Sequence, residues 1–130
     1  MKIQYDKQPQ VFEDCNNGSY AYNFDIEEIQ VPTIEKGKTF TQWECEQVKV
    51  FLPLSANKIT EAVISDKFPK NYEAKLINEY NSATLGIIQE PRSAERIKAY
   101  KDFLTERQRL KEQVDKDFAD FAKGHKVLTI

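Results

Sequence analysis

The sequence predicts an α+β protein: an N-terminal antiparallel β-hairpin or meander, then a helical hairpin with one long C-terminal helix. Three observations carry this expectation. Residues 19–26, SYAYNFDI, place Tyr20, Tyr22, Phe24 and Ile26 on one face at period two, the pattern of a half-buried strand. After Pro53 the apolar spacing changes to that of helices. Strands and helices also segregate along the chain instead of alternating. The boundaries read as one domain over 1–130, with a β part (1–53), a helical part (54–123) and a tail (124–130).

The β part is justified element by element. Ile29 and Val31 continue the first long strand with reversed phase after Glu27-Glu28, so a β-bulge or bend is expected there. Glu35-Lys36-Gly37-Lys38 is a turn signal, and TFTQWECEQVKVFL (39–52) reads as a second long strand. Residues 20–34 and 39–52 then make one hairpin, with Gly37 supplying a positive φ. KIQY (2–5) and QVFE (10–13) are candidate edge strands, and Asn16-Asn17-Gly18 is a further turn.

Ser55 is the expected N-cap of a short helix bearing Ile59, Ala62, Val63 and Asp66 on one side, ended by Phe68-Pro69. A second helix occupies NYEAKLINEYNSATLGI (71–87), with Asn71 as its cap and Gly86 at the left-handed C′ position. Its Tyr72, Leu76, Ile77, Tyr80, Ala83 and Thr84 form a packing stripe, opposite Asn71, Lys75, Asn78 and Ser82. Pro91 and the cap candidate Ser93 introduce a third helix over 94–122, about 43 Å long. Its stripe is Ile97, Tyr100, Leu104, Leu110, Val114, Phe118 and Phe121, interrupted by Arg107. The spacing is that of a helix-on-helix seam. The tail GHKVLTI is expected to return as a short strand.

The totals exclude several function classes. The chain has 130 residues, a formal net charge of −2 and four glycines, so bulk attraction to nucleic acid is absent and no phosphate-cradling glycine loop fits. No apolar run of about 18 residues occurs and the start lacks a signal-peptide core, which points to the cytoplasm of the producing cell and away from membranes. Cys15 and Cys45 form no ligand or CxxC pattern and read as unpaired thiols. No metal or cofactor is implied.

Catalytic groups are scarce. His125 is the only histidine and lies near the end, a poor foundation for general base chemistry. Glu44 and Glu46 share a strand face about 7 Å apart, within the span of glycosidase carboxylates. Alternate acids that keep an exposed strand soluble are the plainer reading, and a non-enzymatic protein is expected.

The third helix is polarised. Arg96, Lys98, Lys101, Arg107, Arg109 and Lys111 outnumber Asp102 and Glu106 in its first part, while Glu112, Asp115, Asp117 and Asp120 outnumber Lys116 in its last. This opposes the helix macrodipole, so a contact between the basic part of one copy and the acidic part of another is preferred over a nucleic-acid surface. Arg107 either extends its guanidinium out of the helix seam or pairs with Glu73 or Glu79. The expected contact surface comprises Tyr20, Tyr22, Phe24 and Trp43 on the strands, Asn78 and Asn81 on the second helix, and Arg96, Arg107 and Arg109 on the third.

The run LSANKITEAVISDKFPKNYEAKLINEYNSATLGI, followed by YKDFLTERQRLKEQVDKDF, resembles small proteins encoded among the virion and tail genes of tailed phages and prophages. Ile77, Asn78, Tyr80, Asn81, Ala83, Leu85 and Gly86, then Tyr100, Phe103, Leu104 and Leu110, carry the resemblance, which spans roughly residues 45–120. It implies a structural or assembly role beside other virion or tail proteins, incorporation in the particle, and no cofactor. The expected function is thus a protein–protein interaction module. The alternative is a small inhibitor or regulator of a host enzyme or nucleic-acid complex.

Overall fold

Alternation at 20–24 and again at 46–50 forces two strands to share one apolar face, and the rest of the chain is arranged to cover it. In the computed structural model, which describes residues 1–124, the elements are β1 (Lys2–Tyr5), β2 (Phe12–Asp14), β3 (Ser19–Pro32), β4 (Thr39–Phe51), α1 (Ala56–Lys67), α2 (Tyr72–Thr84) and α3 (Arg92–Ala122). The sheet is antiparallel with order β1-β4-β3-β2. This is the expected α+β arrangement. The expected tail strand and His125 lie outside the described residues.

The central hairpin closes through Gly37 at φ +84°. The Lys38 amide donates to the Glu35 carbonyl at 3.2 Å, and the Thr33 amide to Lys38 at 3.0 Å. The bulge sits slightly earlier than its expected place at Glu27-Glu28: Phe24 pairs with Glu46 and Glu27 with Glu44, so Asp25 and Ile26 together oppose Cys45. Asp25 adopts φ +50°, a left-handed conformation that aspartate tolerates better than most residues. The extra residue explains the phase reversal. It keeps Ile29 and Val31 on the face that already carries Tyr20, Tyr22 and Phe24.

β1 and β2 lie on opposite edges of the sheet, so residues 6–11 cross from one edge to the other. The crossing lies over the face opposite the helices, because Asn23, which alternates away from Tyr22 and Phe24, donates to the Gln10 carbonyl at 2.7 Å. Pro9 is buried there.

On the other face α1 and α3 complete the core. Ile59, Val63 and Leu54 meet Tyr20, Tyr22, Phe24, Val48, Val50, Leu110 and Val114. Ser55 caps α1 as expected, accepting from the Lys58 amide at 3.2 Å. Two expected caps fail: Asn71 is left-handed and makes no side-chain cap bond, and Ser93 is buried inside α3, which begins two residues earlier than expected. Gly86 does close α2, at φ +77°. Its amide donates to Ala83 and that of Ile87 to Ser82, the paired bonds of a Schellman motif. A Cβ at Gly86 meets no atom within 4 Å, so Gly86→Ala is expected to cost only the left-handed backbone penalty, about 1–2 kcal/mol, read as a lower urea midpoint with unchanged slope.

α3 has 31 residues, about 46 Å of helix, and runs antiparallel to β3. Phe121 packs on Tyr20, Asp117 accepts from the Tyr22 hydroxyl at 2.6 Å, and Arg109 reaches Asp25 at the bulge. Its first half therefore continues past the bulge and off the sheet, where it packs on α2. Tyr100 meets Tyr80 with ring centroids 5.0 Å apart, and Phe103 meets Tyr72 at 5.7 Å.

The buried series on α3 differs in register from the expected stripe. Ser93, Phe103, Leu110 and Val114 are buried, whereas Leu104 is 41% exposed. Spacing by alternate threes and fours places 93, 100, 107, 114 and 121 with 96, 103, 110 and 117 on one seam. Arg107 falls on that seam with its Nε buried and without a hydrogen-bond partner among the described residues. No ion pair joins it to Glu73 or Glu79 among the described residues, so the pairing alternative is not realised.

Candidate functional site

The residues expected to form one contact surface are dispersed by the fold. Tyr20, Tyr22 and Phe24 are 8%, 1% and 3% exposed and face α3 of the same chain. Their aromatic area is consumed by the core, so they present no outward surface. Burial and the Asp117 carboxylate push the Tyr22 hydroxyl far above its ordinary range, and it stays protonated as a donor. Trp43 is half-buried on the opposite face of the sheet, beside Tyr5. Asn78 and Asn81 are exposed on the solvent side of α2. Arg96 pairs with Glu79 at 3.3 Å across the α2–α3 seam.

The charge polarity of α3 is largely neutralised within the chain. Besides Arg96, Lys98 pairs with Asp102, Lys111 with Asp115 and Lys123 with Asp120. Arg109 forks onto both Glu106 and Asp25. The head-to-tail contact expected from the charge split thus competes with partners already in place.

The acidic pair Glu44 and Glu46 lies on the helix-side face of β4 and is half-buried, contrary to the expected solvated strand face. Glu44 binds Lys2 at 2.9 Å and accepts from Gln4. The Lys2 hydrogen bond holds the Glu44 carboxyl below the usual range, the wrong direction for a general acid at neutral pH. Among the described residues, no group of three or more His, Cys, Asp or Glu is placed to hold a metal ion. Cys15 and Cys45 are both free thiols.

What the fold does expose is a β-arm. β1 pairs with β4 only as far as Trp43, and β2 pairs with β3 only over Tyr20–Tyr22. Beyond these limits the pairs Ile29–Gln42, Gln30–Thr41, Val31–Phe40 and Pro32–Thr39 have only each other among the described residues. Ile29, Val31 and Phe40 share one face of this ribbon and none belongs to the core cluster. Phe40 is 43% exposed, and Ile34 in the turn is fully exposed. Among the described residues no strand pairs with either outer edge of the ribbon, and open edges of this kind are the template that sheets usually cover or blunt. A second apolar point lies at the end of the helical hairpin, where Leu85 and Ile87 are 75% and 74% exposed.

The arm and the first half of α3 leave the sheet from the same end, on either side of the bulge. At their root Arg109 grips Asp25 through two bonds, 3.1 and 3.2 Å, while Lys67 of α1 approaches Asp25 at 3.7 Å. Hydrogen-bonded Arg109 lowers the Glu106 carboxyl below its ordinary value.

No family model, curated protein sequence or solved structure matches the chain. Among the described residues no helix is long and apolar enough to cross a membrane.

Of the residues in the arm and at its root, the expected contact surface includes only Arg109. Ile29, Val31, Ile34, Phe40 and Asp25 were not in it. A signal was present: edge-strand candidates of four residues cannot flank strands of about fourteen along their whole length.

Proposed function

We propose that the chain is a non-catalytic docking module that grips another protein with its β-arm. The observation that carries this reading is the arm itself: a two-stranded ribbon outside the core, apolar on one face through Ile29, Val31 and Phe40, with Ile34 at its tip. A ribbon with open edges gains backbone hydrogen bonds and apolar burial on binding, as in strand addition. Isolated two-stranded ribbons are marginal in water, so a partner also completes the structure. The narrower reading, a virion or tail-associated accessory protein of a tailed phage, is supported by the resemblance carried by Ile77, Asn78, Tyr80, Asn81, Ala83, Leu85 and Gly86.

A photo-crosslinking residue at position 40, introduced in cells that produce the protein, tests this directly. One dominant crosslinked partner is expected, recoverable with purified particles and identified by mass spectrometry as a virion protein. With that partner purified, Ile34→Ser/Phe40→Ser should weaken binding about 10-fold or more while leaving the melting temperature within a few degrees. A host enzyme as the crosslinked partner would favour the inhibitor alternative. Unchanged affinity in the double variant would remove the arm from the contact.

A further inference from the structure

The arm's direction relative to the helices is controlled at one place. Among the described residues the hydrogen bonds, ion pairs and ring contacts between helices and sheet reach no further along the arm than the bulge itself, and the arm beyond Trp43 makes none with a helix. Its direction is therefore set by the backbone at Asp25–Ile26, where β3 bends. A bulge on its own permits a range of twist.

We infer that Arg109 is a positioning residue which, through Asp25, clamps the arm at a fixed angle to the helical hairpin. Asp25 is the bulge residue in the left-handed conformation, so anchoring its carboxylate fixes the local backbone as well as the side chain. The Arg109 guanidinium meets Asp25 with NH1 to Oδ1 at 3.1 Å and NH2 to Oδ2 at 3.2 Å. That planar, two-bonded geometry restrains orientation, which a single lysine contact does not. The fork is itself held on its other side by Glu106, with Nε at 3.0 Å and NH2 at 2.7 Å. Arg109 and Glu106 sit one helical turn apart on α3, so the clamp refers the arm to a rigid rod. Lys67 adds a second, longer tether from α1.

The carboxylate and guanidinium are partly open to solvent, with side chains 30% and 46% exposed. Salt can therefore reach and weaken the clamp. Strengthening or releasing it changes how Ile29, Val31 and Phe40 are presented relative to α3. The inference rests on the docking reading of the arm, yet it concerns the free protein and is measurable without any partner.

Spin labels on Lys36→Cys in the turn and Lys101→Cys on α3, in a Cys15→Ser background, report the arm angle as a distance distribution. The clamped protein should give one narrow distribution in low salt. Asp25→Asn keeps a residue that tolerates the left-handed backbone but removes the charge, and Arg109→Gln removes the fork. Each should broaden the distribution about twofold or more while the melting temperature stays within a few degrees. Raising salt to about 1 M should broaden the parent and leave both variants nearly unchanged. Equal widths in parent and variants at low salt would overturn the clamp. So would a parent insensitive to salt. Neither result bears on whether the arm docks, because position-40 crosslinking decides that separately.

Discussion

Phe103→Ala is expected to lower stability by about 3–5 kcal/mol, while Leu104→Ala, one position along the same helix, should cost about 0.5–1 kcal/mol. Both are read from urea unfolding of the described two-layer fold. Phe103 is 4% exposed, with its ring edge-on to Phe68 at 4.8 Å and to Tyr72 at 5.7 Å. Phe68 and Tyr72 stack on each other at 5.7 Å, so one side chain joins α1, α2 and α3. Truncation removes the transfer energy of the ring and two edge-to-face contacts, each about 0.5–1.5 kcal/mol. It also leaves a cavity where three helices meet. Leu104 is 41% exposed and keeps much of its water contact in the folded state. Similar costs for the two variants would mean that α3 is rotated about its axis relative to this account.

That pair of positions also shows where sequence pattern stops. Helical periodicity located α3, its length and most of its seam. It placed Leu104 on the stripe where the structure buries Phe103, because adjacent apolar residues differ by only 100° around a helix and both fit a broad stripe. The hairpin, the edge strands, Ser55 and Gly86 were legible for a local reason: each depends on alternation, a cap or a positive φ within a few residues. Asn71 and Ser93 have capping chemistry, yet α2 and α3 begin by other geometry, with Pro91 preceding α3. Propensity proposes a cap and packing decides where the helix starts.

The candidate site was less legible than the fold. Alternation assigned Tyr20, Tyr22 and Phe24 to a face but not to an occupant, and the occupant is α3 of the same chain. The arm stands out by what, among the described residues, fails to cover it. Absence of a neighbour is a tertiary property, hinted at only by the mismatch between short and long strands. Charge polarity on α3 misled for a related reason. Lysines and arginines read in sequence as free charge, but Arg109 is spent on Asp25, 84 residues away, and no local pattern announces such a pairing.

Asn23→Leu is expected to cost about 2–4 kcal/mol and to open one face of the protein locally. Asn23 is fully buried beneath the crossing segment 6–11. Its Nδ2 donates to the Gln10 carbonyl at 2.7 Å and to Glu13 at 3.2 Å, and its Oδ1 accepts from Gln47 at 2.9 Å. Gln47 donates in turn to the Tyr5 hydroxyl at 2.8 Å. Leucine keeps the branched shape and heavy-atom count, though it is bulkier, and leaves the Gln10 carbonyl and part of the Glu13 and Gln47 groups without partners. Asn23→Leu/Gln47→Leu should recover some of the loss, since removing both members of a polar pair costs less than orphaning one. Cys45 lies in the same layer, 1% exposed, with its thiol pushed up by burial, so it should react slowly with a disulfide reagent in the parent. In a Cys15→Ser background, Asn23→Leu should accelerate Cys45 modification more than Phe103→Ala does for the same loss of stability. Phe103 lies in the helical layer, where its loss loosens nothing over Cys45 except through global unfolding. Local opening of the crossing segment adds a second route in the Asn23 variant. Equal acceleration at equal stability loss would instead tie the crossing segment to the global unfolding of the whole domain.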